Sequence, residues 1–171
     1  MAEPEKTCCF TGHRPSKLPW REDERDPRCI ALKREISQRI EELYLRGCRH
    51  FICGMAKGCD LYFCEAVLAL RDGKYPDIRV ESAIPCRSQA DRWQSRQRER
   101  REGLLKRCNW ETLIQNEYDP GCMMRRNRYM VDNADIVLAV FNGKRGGTMH
   151  TLSYAMRSEK EVLIINLSDY E

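Results

Sequence analysis

The chain of 171 residues carries ten cysteines but no C-x-x-C pair. The spacings that remain suit neither a zinc ribbon nor a zinc finger, so no metal site and no cofactor are expected. No apolar run approaches the roughly 20 residues that a membrane helix needs. The start, residues 1–6, is polar and no apolar signal segment follows it. These absences favour a cytoplasmic protein whose thiols are reduced and packed as small hydrophobes, over a disulfide framework. Cys53, Cys59, Cys64 and Cys86 fall within or beside apolar or helical patterns, as that reading requires. Repeats, low-complexity tracts and internal linkers are also missing. The net charge of +4 is mild and speaks against nucleic acid as a partner. Trp20, Trp93 and Trp110 are too scattered to form a stacking platform.

What is present is the composition of one globular domain over residues 1–171, with 42% hydrophobic and 33% charged residues. Short apolar runs alternate with helical periodicity. Strands are expected at residues 7–11, 50–53, 78–84, 111–114, 135–141 and 162–166. Helices are expected at 28–46, with Ile30, Ile36, Ile40, Leu43 and Tyr44 recurring at helical spacing, and at 59–71, 89–107, 123–133 and 149–157. The mixed-sign run at 96–102 reads as a solvated helix face with pairs along the helix. Continuous apolar strands separated by helices imply a Rossmann-like α/β fold, doubly wound, with a mostly parallel sheet and helices on both faces.

In such sheets ligands bind beyond the carboxyl ends of the strands. Three polar loops follow expected strand ends, at 11–14, 54–60 and 142–148. The second, from Gly54 through Met55, Lys57 and Gly58 to Asp60, has glycines that let the backbone approach an anion and a helix that offers free N–H groups. It matches neither G-x-x-x-x-G-K-[ST] nor G-x-G-x-x-G. Asp60 either stabilises the helix N-terminus or bonds a ribose or base. Gly146, Gly147 and Thr148 repeat the pattern after the most apolar strand, with Thr148 as a helix cap, a phosphate donor, or both. Gly12, His13 and Arg14 follow the first strand, and Arg14 has the planar fork that suits a phosphate. Arg126 and Asn127 precede the apolar strand and can reach the same edge, although Arg126 also reads as a surface helix cation. Lys144 and Arg145 read as loop cations.

Taken together, Thr11-Gly12-His13-Arg14-Pro15, the 54–60 loop, Ala83-Ile84-Pro85 with Gln89 and Trp93, Arg126-Asn127 with Met130-Val131-Asp132, and Gly146-Gly147-Thr148 resemble the YpsA-like family. That family lies in the SLOG superfamily with the Lonely-guy phosphoribohydrolases and DprA. The resemblance implies a Rossmann-like fold, a nucleotide or nucleotide-derived ligand, and a homodimer as an option. The Lonely-guy hydrolases carry Arg-Lys-x-x-Met and then P-G-G-x-G-T-x-x-E. Here Arg126 to Met130 resembles the first motif, and Thr151 stands where the second has its catalytic Glu. A threonine cannot act as a carboxylate base. The expected function is therefore ligand binding by a sensor or regulatory protein. The alternative is a nucleotide-cleaving hydrolase that would use Asp60 or Glu65.

Overall fold

The computed structural model describes residues 3–171. In chain order the elements are β1 (Lys6–Thr11), α1 (Pro27–Leu45), β2 (Cys48–Cys53), α2 (Cys59–Gly73), β3 (Arg79–Ile84), α3 (Ser95–Arg107), β4 (Trp110–Leu113), α4 (Cys122–Asp132), β5 (Ile136–Phe141), α5 (Gly147–Arg157) and β6 (Glu161–Asn166). Single 3-10 turns occupy Pro15–Lys17 and Leu167–Tyr170.

The strands form one parallel sheet in the order β4-β3-β2-β1-β5-β6. The chain walks outward from β1 to β4, then returns to the other side of β1 for β5 and β6. The reversal therefore lies between β1 and β5, where Phe10 is in register with Leu138. Crossovers in opposite directions place helices on opposite faces. On one face α1 and α2 cover Cys8, Phe10, Phe51, Ile136, Leu138 and Val140. On the other, α4 and α5 cover Cys9, Ile52, Val137 and Ala139. The alternation of neighbouring residues between the two clusters is the strand period of two. Phe10 stacks on Phe63 of α2 with ring centroids 4.6 Å apart, which anchors α2 beneath the end of β1. Burying a side chain of this size stabilises the fold by about 1.5–3 kcal/mol. All ten cysteines are free, and nine of them are buried.

Local chemistry sets the ends of α1. Pro27 opens the helix, and the Asp26 carboxylate accepts from the N–H of Arg28 at 2.8 Å. Ile30, expected to face inward, is 41% exposed; Cys29 and Leu32 are the buried residues of that turn. The helix expected from residue 89 begins only at Ser95. Residues 86–93 form successive turns instead, because the Gln89 side chain donates to the Gly54 carbonyl at 3.0 Å and accepts from Arg101 Nη2 at 2.9 Å. Tertiary hydrogen bonds here outcompete helix propensity. On α3 the charges also pair across elements rather than only along the helix. Arg100 reaches Glu24 at 2.6 Å and Glu65 at 2.5 Å, and Arg101 is buried.

Candidate functional site

The loops after β1, β2 and β5 meet at the carboxyl edge of the sheet, over the reversal between β1 and β5. They enclose a cleft of about 380 Å³ whose lining includes Gly12, His13, Arg14, Asp60, Arg126, Asn127, Gly147 and Thr148. Thr11, Ser16, Lys17, Ala56 and Met123 complete the wall.

The 54–60 loop forms one side, and several of its groups are already satisfied. The Asp60 carboxylate accepts from the N–H of Ala56 at 3.1 Å, and the first N–H of α2, on Cys59, donates to the His13 carbonyl at 3.1 Å. Asp60 thus takes one N–H of this loop, while those of Lys57, Gly58 and Asp60 itself have no acceptor among the described residues. Burial pushes its carboxyl upward in pKa, partly offset by the nearby Arg126 guanidinium. Met55 is wholly buried with a φ of +61°, and Gly58 has a φ of +85°. A Cβ on Gly58 would meet the His13 carbonyl oxygen at 2.7 Å, so the β1 and β2 loops touch through a glycine. Lys57 is absent from the cleft lining. Its ammonium lies 5.8 Å from the Trp93 ring centroid, over the aromatic face.

Arg126 is a buried cation and not a surface one. Its guanidinium donates to the Gly54 carbonyl, to the Ala83 carbonyl at 3.3 Å and to Asn127 Oδ1 at 2.9 Å. It ties the ends of β2 and β3 to α4, and its remaining nitrogen borders the cleft beside Met123. A Cβ on Gly54 would lie 2.9 Å from both the Arg126 guanidinium and Asp60 Oδ2, so this close packing requires a glycine.

His13 is buried, and its Nε2 accepts from the N–H of Asn142 at 3.0 Å. The ring is therefore neutral, with its proton on Nδ1. Burial, with a smaller contribution from Lys17, lowers its pKa to about 4. Its role is to join the ends of β1 and β5.

The end of the cleft at α5 is open. The helix begins at Gly147, two residues earlier than its sequence pattern implies, and Gly146 is the cap residue, with a φ of +155°. Thr148 consequently sits inside the first turn and does not cap it. Among the described residues, the N–H groups of Gly147, Thr148 and Met149 have no acceptor. Arg14 is exposed at the rim, and among the described residues its side chain hydrogen-bonds Met123 Sδ at 3.8 Å. Lys17, which belongs to no motif in the sequence, packs its ammonium against Gly146: a Cβ there would lie 2.6 Å from Lys17 Nζ. Among the described residues neither cation pairs with a carboxylate. Free N–H groups at a helix N-terminus, a threonine hydroxyl and two cations without a carboxylate partner are groups that can hold an anion.

Thr151 donates its hydroxyl to the Gly147 carbonyl at 3.0 Å and belongs to the body of α5. Glu65 faces α3, paired with Arg100. Asp60 is the carboxylate that the cleft lining contains. No group of three histidine, cysteine or acidic side chains converges as a metal site among the described residues. No helix among them is long and apolar enough to cross a membrane.

A doubly wound parallel sheet with a polar cleft at its switch point defines a Rossmann-like protein. The chain belongs to the YpsA family, described as the YspA SLOG family, whose model matches residues 8–168. It is 30% identical over 147 residues to the SPbeta prophage-derived protein YoqJ of Bacillus subtilis strain 168, covering 78% of this chain and 85% of YoqJ. It is 25% identical over 146 residues to a UPF0398 protein of Bacillus pumilus strain SAFR-032, covering 84% of this chain and 77% of that one. Among solved structures it resembles DNA processing protein A (DprA) from Streptococcus pneumoniae, with a TM-score of 0.63 and 17% identity, over 97% of this chain and 54% of that one. It also resembles DprA from Helicobacter pylori, described for its single-stranded DNA binding mode, with a TM-score of 0.61 and 16% identity, over 96% of this chain and 70% of that one. The likeness to both DprA structures is one of fold.

Proposed function

We propose that this protein binds a nucleotide or nucleotide-derived phosphate ligand in the switch-point cleft and acts as a sensor or regulatory protein. The observation that carries this reading is the open N-terminus of α5. Gly147 and Thr148, whose N–H groups have no acceptor among the described residues, line the cleft together with Lys17 and Arg14. The Asp60 carboxylate across the cleft repels an anion and directs it towards α5. In this reading Gly147 and Thr148, with Gly146 as the cap behind them, form the phosphate cradle; Ala56 and Asp60 line the opposite wall, and Gly54, Met55 and Gly58 are absent from the lining.

Hydrolysis is the weaker reading. The position of the expected catalytic Glu is Thr151, whose hydroxyl is bonded back to its own helix, and Glu65 is held by Arg100. A second binding reading is single-stranded DNA. The DprA fold likeness and the exposed Arg14, Lys17 and Arg145 around the cleft favour it over what the mild net charge alone implies.

A thermal-shift comparison of nucleoside 5′-phosphates, their nucleosides and a thymidine oligonucleotide tests both. A bound ligand at 100 times its Kd adds about 2.7 kcal/mol of stability. Stabilisation by the phosphates and not by the nucleosides supports the cradle, and equal shifts with both would contradict it. A shift confined to the oligonucleotide, lost steeply with salt, would support DNA instead.

A further inference from the structure

The anion cleft continues into a second, larger space. Between α4 and α5 lies a groove of about 640 Å³, within the roughly 300–1,000 Å³ of small-molecule sites. Met123, Asn127 and Gly147 line both spaces, so the groove opens directly from the N-terminus of α5. Its chemistry differs from that of the cleft. Met123, Met124 and Met149 supply polarisable thioethers. Arg128 projects from α4 with its guanidinium 5.4 Å from the centroid of the Tyr154 ring, and the Tyr154 hydroxyl is fixed by Asp132 at 2.6 Å. The Arg128 guanidinium thus lies over the Tyr154 ring, with thioethers lining the same groove.

We propose that this groove holds the heteroaromatic base of a nucleoside 5′-phosphate whose phosphate lies at the α5 N-terminus. The proposal rests on the phosphate reading above and extends it by naming the ligand class and the direction in which the ligand lies. Guanidinium planes and aromatic rings stack on any base, and methionine adapts to its edge. Charge selects against a second copy of the chain as occupant. The lining holds Arg128, Arg145 and Arg157 and no carboxylate, so two copies meeting here would set like charges against each other.

Isothermal titration of the full chain with inorganic phosphate, ribose 5-phosphate and adenosine 5′-monophosphate tests this, alongside Arg128→Leu and Tyr154→Leu. Arg128 is exposed, so its replacement leaves the core intact. Adenosine 5′-monophosphate is expected to bind at least about ten-fold more tightly than ribose 5-phosphate. Both variants are expected to remove that advantage while ribose 5-phosphate still binds. Equal affinities for the two in the wild-type protein would overturn the base site and leave the phosphate site standing. Failure of all three ligands to bind would overturn both. A dimer that Met149→Asp dissociates, with no gain from the base, would assign the face to a second copy and overturn the proposal.

Discussion

The His13 imidazole accepts a hydrogen bond from the backbone N–H of Asn142 at 3.0 Å, which joins the ends of β1 and β5 across the point where strand order reverses. Protonation of Nε2 would break this bond. With a pKa lowered from 6.5 to about 4 in the folded state, His13 binds fewer protons folded than unfolded between those values. Its contribution is complete above about pH 6.5 and is lost as the pH falls towards 4. In urea melts, His13→Gln should narrow the stability gap between pH 7 and pH 4.5 by about 1–2 kcal/mol relative to wild type. An unchanged gap would mean that the ring is not held neutral.

Two glycines with positive φ separate strain from collision. Gly47 has a φ of +106° with nothing within 4 Å of where a methyl would stand, whereas the methyl of an alanine at Gly58 would meet the His13 carbonyl at 2.7 Å. Gly47→Ala should cost about 1 kcal/mol, and Gly58→Ala about 3 kcal/mol or more, by chemical denaturation. Equal costs would show that the contact between the β1 and β2 loops is slack.

Glu81 is buried in β3 among His50 at 2.8 Å, Thr112 at 2.7 Å and Tyr129 at 2.5 Å. Burial raises its carboxyl, but the hydrogen bonds from His50, Tyr129 and Thr112 outweigh it and hold the group below the ordinary carboxylate range. The stability this provides is present above about pH 4.5 and is lost as the pH falls through the lowered value. Glu81→Gln should destabilise the protein by about 1–3 kcal/mol at pH 7 and by less in acid. A loss that does not change with pH would rule out an ionised Glu81.

The cations of the cleft should differ in effect. Lys17→Ala and Arg14→Ala should each weaken phosphate binding by about ten-fold and reduce its salt dependence. Lys57→Ala should change the affinity less than about two-fold, because its ammonium lies over Trp93. A large loss from Lys57→Ala, measured by titration calorimetry, would move the anion to the β2 loop.

The fold could be read from the sequence because its signals are local. The apolar run Ile136–Phe141 and the helical spacing of Leu61, Cys64, Val67 and Leu68 survive in the structure, and all four of those helix residues are buried. The site was legible as three loops, but the sequence did not show which donors stay free. The Gly54–Asp60 segment looks like an anion loop, yet its own Asp60 accepts the Ala56 N–H, a bond visible only once the backbone has turned. Lys17 carries no motif and reaches the cleft because the 3-10 turn Pro15–Lys17 carries it to Gly146, far away in sequence. Gln89 departed from expectation because neighbours distant in the chain, the Gly54 carbonyl and Arg101, decided what its side chain touched.

Everything proposed for the cleft depends on an anion seated at the N-terminus of α5. Backbone amide NMR on the full chain, titrated with inorganic phosphate and then with adenosine 5′-monophosphate, tests this directly. The amides of Gly147, Thr148 and Met149 should shift in a saturable manner with both ligands, while those of Ala56 and Cys59 change little because they already donate to Asp60 and His13. Shifts centred on residues 54–59, with α5 unmoved, would contradict this placement.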